Sequence, residues 1–147
     1  MSKIARQQYN TKYKMPDYKI MGTITPAIQT KLTNLVTTGD KSDIVEIIDS
    51  INLVLGTRIS DISADIFPEP FSSKTQISNN YNEPTGVFFL TTSGDADLVI
   101  GDRRVKLQPG KITFVNERNM YSVDKQNSTR LIMLSGKFTW DPERHGT

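Results

Sequence analysis

A chain of 147 residues is long enough for one domain, since a fold of this length buries roughly 68–70% of its extended surface. Hydrophobic residues make up 36% and charged ones 23%, too apolar for outright disorder, and no apolar run approaches the roughly 18 residues that suggest a membrane span. Zero cysteines exclude disulfides, thiolate nucleophiles and cysteine zinc sites, and a single histidine, His145, leaves little room for a histidine metal centre or a Ser/His/Asp triad. Composition therefore argues against most enzymes.

Charge is unevenly placed. Residues 1–19 carry Lys3, Arg6, Lys12, Lys14 and Lys19 against Asp17, a net +4, while the whole chain is +2, which leaves −2 for residues 20–147. Tyr9, Tyr13 and Tyr18 are interleaved with those cations. Residues 1–24 show neither a 3.6 nor a 2.0 period and contain Pro16, so an extended basic arm is expected there. The arm lacks an apolar stretch, so no secretory signal is expected; the expected setting is intracellular (cytoplasmic) or a virion.

Residues 25–147 read as a single domain that begins with two helices over residues 25–56. Thr25-Pro26 has the form of an N-cap followed by proline at the first helical position. Ile28, Leu32, Leu35 and Val36 then make one apolar stripe, and Gly39 stops it. Asp40 or Ser42 is the expected cap of the second helix, in which Ile44, Ile47, Ile48, Ile51 and Leu55 keep the helical spacing up to Gly56. All five should face a sheet.

Beyond residue 57 the period becomes two. Candidate strands are 58–66, 74–78, 86–91, 96–100, 103–107, 111–115, 120–123, 129–135 and 137–140, with a two-residue hairpin at Gly101-Asp102 and breaks at Pro109-Gly110 and Asn127-Ser128. Residues 141–147 are left as a tail. The expected fold class is α+β, mainly β: an arm, two helices, then an antiparallel jelly-roll or double-stranded β-helix barrel over residues 57–140.

The segment LQPGKITFVNERNMYSVD (107–124) resembles the second half of a cupin barrel, in which a proline-glycine turn leads into a strand, a short loop and a metal-binding histidine. Residues 71–140 more specifically resemble the iron(II)/2-oxoglutarate dioxygenases of the prolyl-hydroxylase type. Their distal pattern, His-x-Val followed about ten residues on by an arginine, corresponds to Tyr121-Ser122-Val123 and Arg130. Their proximal His-x-Asp corresponds to Lys74-Thr75-Gln76. The resemblance implies iron held by two histidines and a carboxylate; this chain has Lys74, Gln76 and Tyr121 at those degenerate metal positions. An ammonium donates rather than ligates, and an amide oxygen and a phenol are poor partners for Fe(II), so neither cofactor nor metal is expected.

Other residues carry paired readings. Arg130 is a candidate anion-binding group, as the cosubstrate-carboxylate arginine of the resembled family, or a strand arginine paired with a surface acid. Tyr121 reads as a half-buried barrel tyrosine. His145 reads as an exposed tail residue, with a metal role alongside acids as the alternative. Asp95 and Asp97 flank Gly94 as turn acids or as calcium ligands, and Phe138 and Trp140 should close the barrel's apolar face. The arm suits either a protein partner or a nucleic-acid backbone. The expected function is a non-catalytic jelly-roll module, not an enzyme, acting in protein–protein assembly through residues 1–22, with no membrane association. Arm-plus-jelly-roll chains are similar to small virus or phage structural proteins, an analogy at the level of fold. Tyr9, Tyr13, Tyr18, Lys12 and Lys14 are the expected interface residues of the arm, and the alternatives are an oxygenase using an unrecognised site and a nucleic-acid-binding protein using the N-terminal arm. A ligand-binding barrel remains a further option.

Overall fold

The computed structural model describes residues 16–67, 71–75, 85–116, 121–125 and 130–145. Helix α1 spans Pro26–Thr38. The Thr25 hydroxyl accepts the Ile28 N–H at 3.3 Å, and Gly39 ends the helix at φ 74, a left-handed value that a residue lacking Cβ adopts at little cost. Helix α2 spans Ile44–Leu55 and stops at Gly56, φ 70. Its cap differs from the expected one. Asp43 holds the N-cap position without a side-chain bond, whereas Asp40 Oδ1 accepts the Ser42 N–H at 3.0 Å in a turn just ahead of it. A short acid satisfies its nearest N–H first, and here that N–H lies before the helix. Ile47, Ile51 and Leu55 are buried, while Ile44 and Ile48 are half-buried at the margin of the packed face.

Among the described residues nine strands form two antiparallel sheets. They are β1 (Tyr18–Thr23), β2 (Ile59–Phe67), β3 (Phe71–Thr75), β4 (Thr85–Ser93), β5 (Asp97–Ile100), β6 (Arg103–Lys106), β7 (Lys111–Asn116), β8 (Tyr121–Lys125) and β9 (Leu131–Thr139). One sheet runs β1-β7-β4-β9-β2 and the other β3-β8-β5-β6. From β2 to β9 successive strands alternate between the sheets, except at the β5–β6 hairpin, where Gly101 turns at φ 62. That alternation over eight strands is the winding of a jelly roll.

Two apolar layers follow from it. β4 is central and buried on both faces, which is why Val87-Phe88-Phe89-Leu90 is a continuous apolar run. Phe88 and Leu90 meet Ile28, Leu32, Ile47 and Ile51 of the helices, with Phe114, Phe138 and Trp140 in the same layer. Val87 and Phe89 face the second sheet and pack with Leu98, Ile100, Val115, Val123, Leu131 and Met133.

Three sequence expectations are corrected. Residues 18–23, placed in the arm, form β1 and pair with β7 from Tyr18↔Val115 to Thr23↔Lys111. A register shift between Ile20 and Gly22 breaks the alternation that would have marked this strand. The expected strands 129–135 and 137–140 are one strand, β9. Gly136 reads as a break, yet it is where the Phe88 ring and the Ser60 carbonyl approach so closely that a Cβ would lie 2.7 and 3.0 Å from them. Finally, the tail carries helix α3 (Pro142–His145) and His145 is 5% exposed. Its Nδ1 accepts the Asp141 N–H at 2.8 Å, so Nε2 carries the proton and donates to the Leu55 carbonyl at 2.6 Å. The histidine thus satisfies a carbonyl at the C-terminus of α2.

Candidate functional site

The space between the two sheets is where a jelly roll of this kind presents a site. β8 supplies one wall by strict alternation: Tyr121, Val123 and Lys125 are buried, while Ser122 and Asp124 between them are half-exposed. Leu98 and Ile100 of β5 flank them in register, and Val87, Phe89, Val115, Leu131 and Met133 close the opposite wall. Tyr121 is 4% exposed and its ring meets that of Phe89 edge-on, with centroids 5.9 Å apart and planes at 70°. Among the described residues the interior is mainly hydrocarbon, with a phenol at one end, a lysine at the other, and Thr91 and Thr113 buried on the strands that carry Phe89 and Val115.

Lys125, 1% exposed, was missed by the sequence reading. The signal was present: extending the two-residue period from Tyr121 through Val123 places position 125 inside. A lysine reads as surface by type, and the alternation was followed only as far as Val123.

The family-like positions separate as follows. Thr75 is the register partner of Tyr121, and Lys74 that of Ser122, so the proximal and distal segments do lie on neighbouring strands. Gln76 lies outside the described residues, as do Tyr9, Tyr13, Lys12 and Lys14. Arg130 stands exposed just before β9 rather than inside an apolar strand, and its carbonyl accepts the Ser93 hydroxyl at 3.2 Å. An iron(II) centre fits this donor set poorly. Tyr121 is wedged against Phe89, and the chain's only histidine is spent on Leu55 at the far side of the five-stranded sheet.

On the outer surface of β5, β6 and β8, opposite charges pair. Asp97 and Asp124 sit opposite each other in register, a repulsive arrangement, and Arg104 of β6 reaches both at 2.8 and 2.6 Å. The bonds to Asp124 and then Asp97 push the Arg104 guanidinium above its ordinary pKa. Lys106 meets Asp95 at 3.1 Å. Asp95 and Asp97 thus each pair with a base across the hairpin. Arg103 binds Asp17 at 2.6 Å and lies over the Tyr18 ring, joining β6 of one sheet to the start of β1 in the other. Phe138 and Trp140 lie between the five-stranded sheet and the helices, outside the barrel interior.

The strand order defines the class: this is a double-stranded β-helix, the cupin-like jelly roll, with an added edge strand and a helix pair on one face. No family model matches the chain, and no curated protein matches it. Solved structures similar to it include a cupin superfamily protein from Desulfitobacterium hafniense, at 20% identity over 54% of this chain and 66% of that one, TM-score 0.42. A predicted oxalate decarboxylase from Thermotoga maritima matches at 12% identity over 60% and 73%, TM-score 0.46. The TDP-fucose-3,4-ketoisomerase WlaRA from Campylobacter jejuni matches at 13% over 61% and 67%, TM-score 0.44. The chain spans just under two thirds of the first of these. It is the strand order, not these likenesses, that defines the fold.

Among the described residues no helix is long and apolar enough to cross a membrane.

Proposed function

We propose that this chain is a non-catalytic jelly-roll module that joins protein subunits, and that residues 1–15 do the joining. The observation that carries the reading is the barrel interior, which among the described residues is lined mainly by Phe89, Leu98, Ile100, Val115, Leu131 and Met133, with Tyr121 and Lys125 set apart as buried polar groups. Catalysis in such a barrel needs a cluster of groups that bind and polarise a substrate; the apolar side chains supply packing instead, and Tyr121 and Lys125, four residues apart on one strand, stand at opposite ends of the layer. The joining segment is narrower than the sequence suggested, because Tyr18–Thr23 is committed to the chain's own sheet. Residues 1–15 hold four cations, no acid and two tyrosines, a composition that suits an acidic protein surface. A nucleic-acid role gains no help from β6, the other basic stretch, since Arg103, Arg104 and Lys106 are all in ion pairs.

Sedimentation velocity on the intact chain and on residues 16–147 tests the proposal, since every described element remains in the shorter form. The intact chain is expected to sediment as an oligomer and the shortened one as a monomer. Identical species for both would overturn it.

A further inference from the structure

A groove of about 420 Å³ opens between the helix pair and the β2 edge of the five-stranded sheet. Leu35 and Val36 of α1, Ile44 and Ile48 of α2, and Ile62 and Ala64 of β2 line it. Its shape depends on a distortion in β2. The register with β9 slips between Ser60 and Ser63, and Asp61 in that bulge sits at φ 51, a left-handed value that costs an ordinary residue roughly 1–2 kcal/mol. The bulge re-aims the strand, and Ile62 is left at the groove 37% exposed. Asp40, Asp43 and Asp61 stand next to lining residues in the chain, and Lys41 is the charged residue among the lining. Lys31 and Glu46 neutralise each other nearby. The charges of Asp40, Lys41, Asp43 and Asp61 sum to −2 around an apolar floor.

We infer that this groove receives residues 1–15 of a second copy of the chain, with Tyr13 as the anchor; the inference rests on the assembly reading above. The chemistry is complementary. The segment brings Lys3, Arg6, Lys12 and Lys14 with no acid, and a tyrosine has an apolar body for the floor and a polar tip for the rim.

Geometry excludes Tyr13 of the same chain as the source. Across the sheet, Tyr18 lies in one row with Val115, Val87, Lys137 and Ser60, whereas the groove's Ala64 lies in a row with Leu134, Leu90, Ile112 and Gly22. The start of β1 and the groove therefore occupy opposite corners of the sheet. Four strand spacings and three to four residues separate them, about 22 Å in all. Tyr13, five residues before Tyr18, reaches at most about 17 Å from it. Tyr9 reaches about 31 Å, so for that residue the separation alone does not decide between the two sources. The Asp17–Arg103 pair also fastens the start of β1 to β6, on the opposite side from the helices. A second copy meets neither limit.

The test uses the full chain. Copies carrying a benzophenone side chain at Tyr13 are mixed as light and heavy nitrogen isotopes, irradiated and mapped by mass spectrometry. Crosslinks to Ile44, Ile48 or Ile62 that join light to heavy chains are expected. Crosslinks within one chain only, or to other surfaces, overturn the inference. In parallel, Ile62→Lys should weaken self-association about tenfold, whereas Leu53→Lys, at a position 84% exposed on α2, should change it less than about twofold. An intact chain that assembles normally with Ile62→Lys overturns the groove while leaving the assembly reading standing. An intact chain that is monomeric overturns both.

Discussion

Replacing His145 by alanine is the sharpest perturbation of the fold as described. The ring is 5% exposed, accepts from the Asp141 N–H, donates to the Leu55 carbonyl, and lies 5.1 Å from Trp140 and 5.5 Å from Phe138 between centroids. Two hydrogen bonds contribute about 2 kcal/mol net, and both backbone partners are left unsatisfied when the ring is removed. The ring contacts add about 1 kcal/mol and the vacated space about 1 more. The expected loss is about 4 kcal/mol, read by urea unfolding or as a fall of about 12 °C in melting temperature. Glu143→Ala, exposed on the same short helix, should change stability by less than about 0.5 kcal/mol. A His145→Ala chain that melts within about 2 °C of the parent would show that α3 is not fastened to α2, and the packing argument would fall.

Three further outcomes follow from the same contacts. Ile51→Ala, at a fully buried position on α2, should cost about 2–5 kcal/mol, while Leu53→Ala should cost under about 0.5 kcal/mol; reversed magnitudes in equilibrium unfolding would invert the helix face. Gly136→Val should destabilise by about 1–3 kcal/mol because its side chain meets the Phe88 ring and the Ser60 carbonyl; an unchanged denaturation midpoint would contradict a continuous β9. The Ser42 backbone N–H, and then its hydroxyl, holds the Asp40 carboxyl below the usual carboxylate range. A depressed native value means that the contribution to stability is present above the unfolded-state pKa and fades as pH falls through the native one. NMR titration should therefore find Asp40 low in the parent and back in the ordinary range in Ser42→Pro; equal midpoints would dismiss the turn.

The helices were legible because three independent signals agree at each of them. Thr25, the stripe from Ile28 to Val36 and Gly39 give start, face and stop, and Gly56 repeats the stop for α2. The sheet was legible as a class and in most of its strands, since β-branched residues and turn glycines survive as local signals. What was lost was non-local. β1 has one strand partner and a bulge, so no period marks Tyr18–Thr23. Gly136 looks like punctuation until Phe88 and Ser60 are known to lie beside it. His145 is one polar residue after a proline, and its burial depends on a carbonyl 90 residues earlier. The candidate site shows the same division. Family-like spacing singled out Lys74, Gln76 and Tyr121, of which Lys74 is the register partner of Ser122 and Gln76 lies outside the described residues, whereas Lys125 needed the inward face of β8 to be followed to its end.

The account's central claim, a barrel without catalytic metal chemistry, is tested most directly by iron content and cosubstrate turnover of the purified chain. After anaerobic reconstitution with Fe(II) and desalting, iron far below one equivalent per chain and no consumption of 2-oxoglutarate are expected, because Tyr121 packs against Phe89 and the only histidine is bonded to Leu55. About one iron per chain together with 2-oxoglutarate turnover would contradict it.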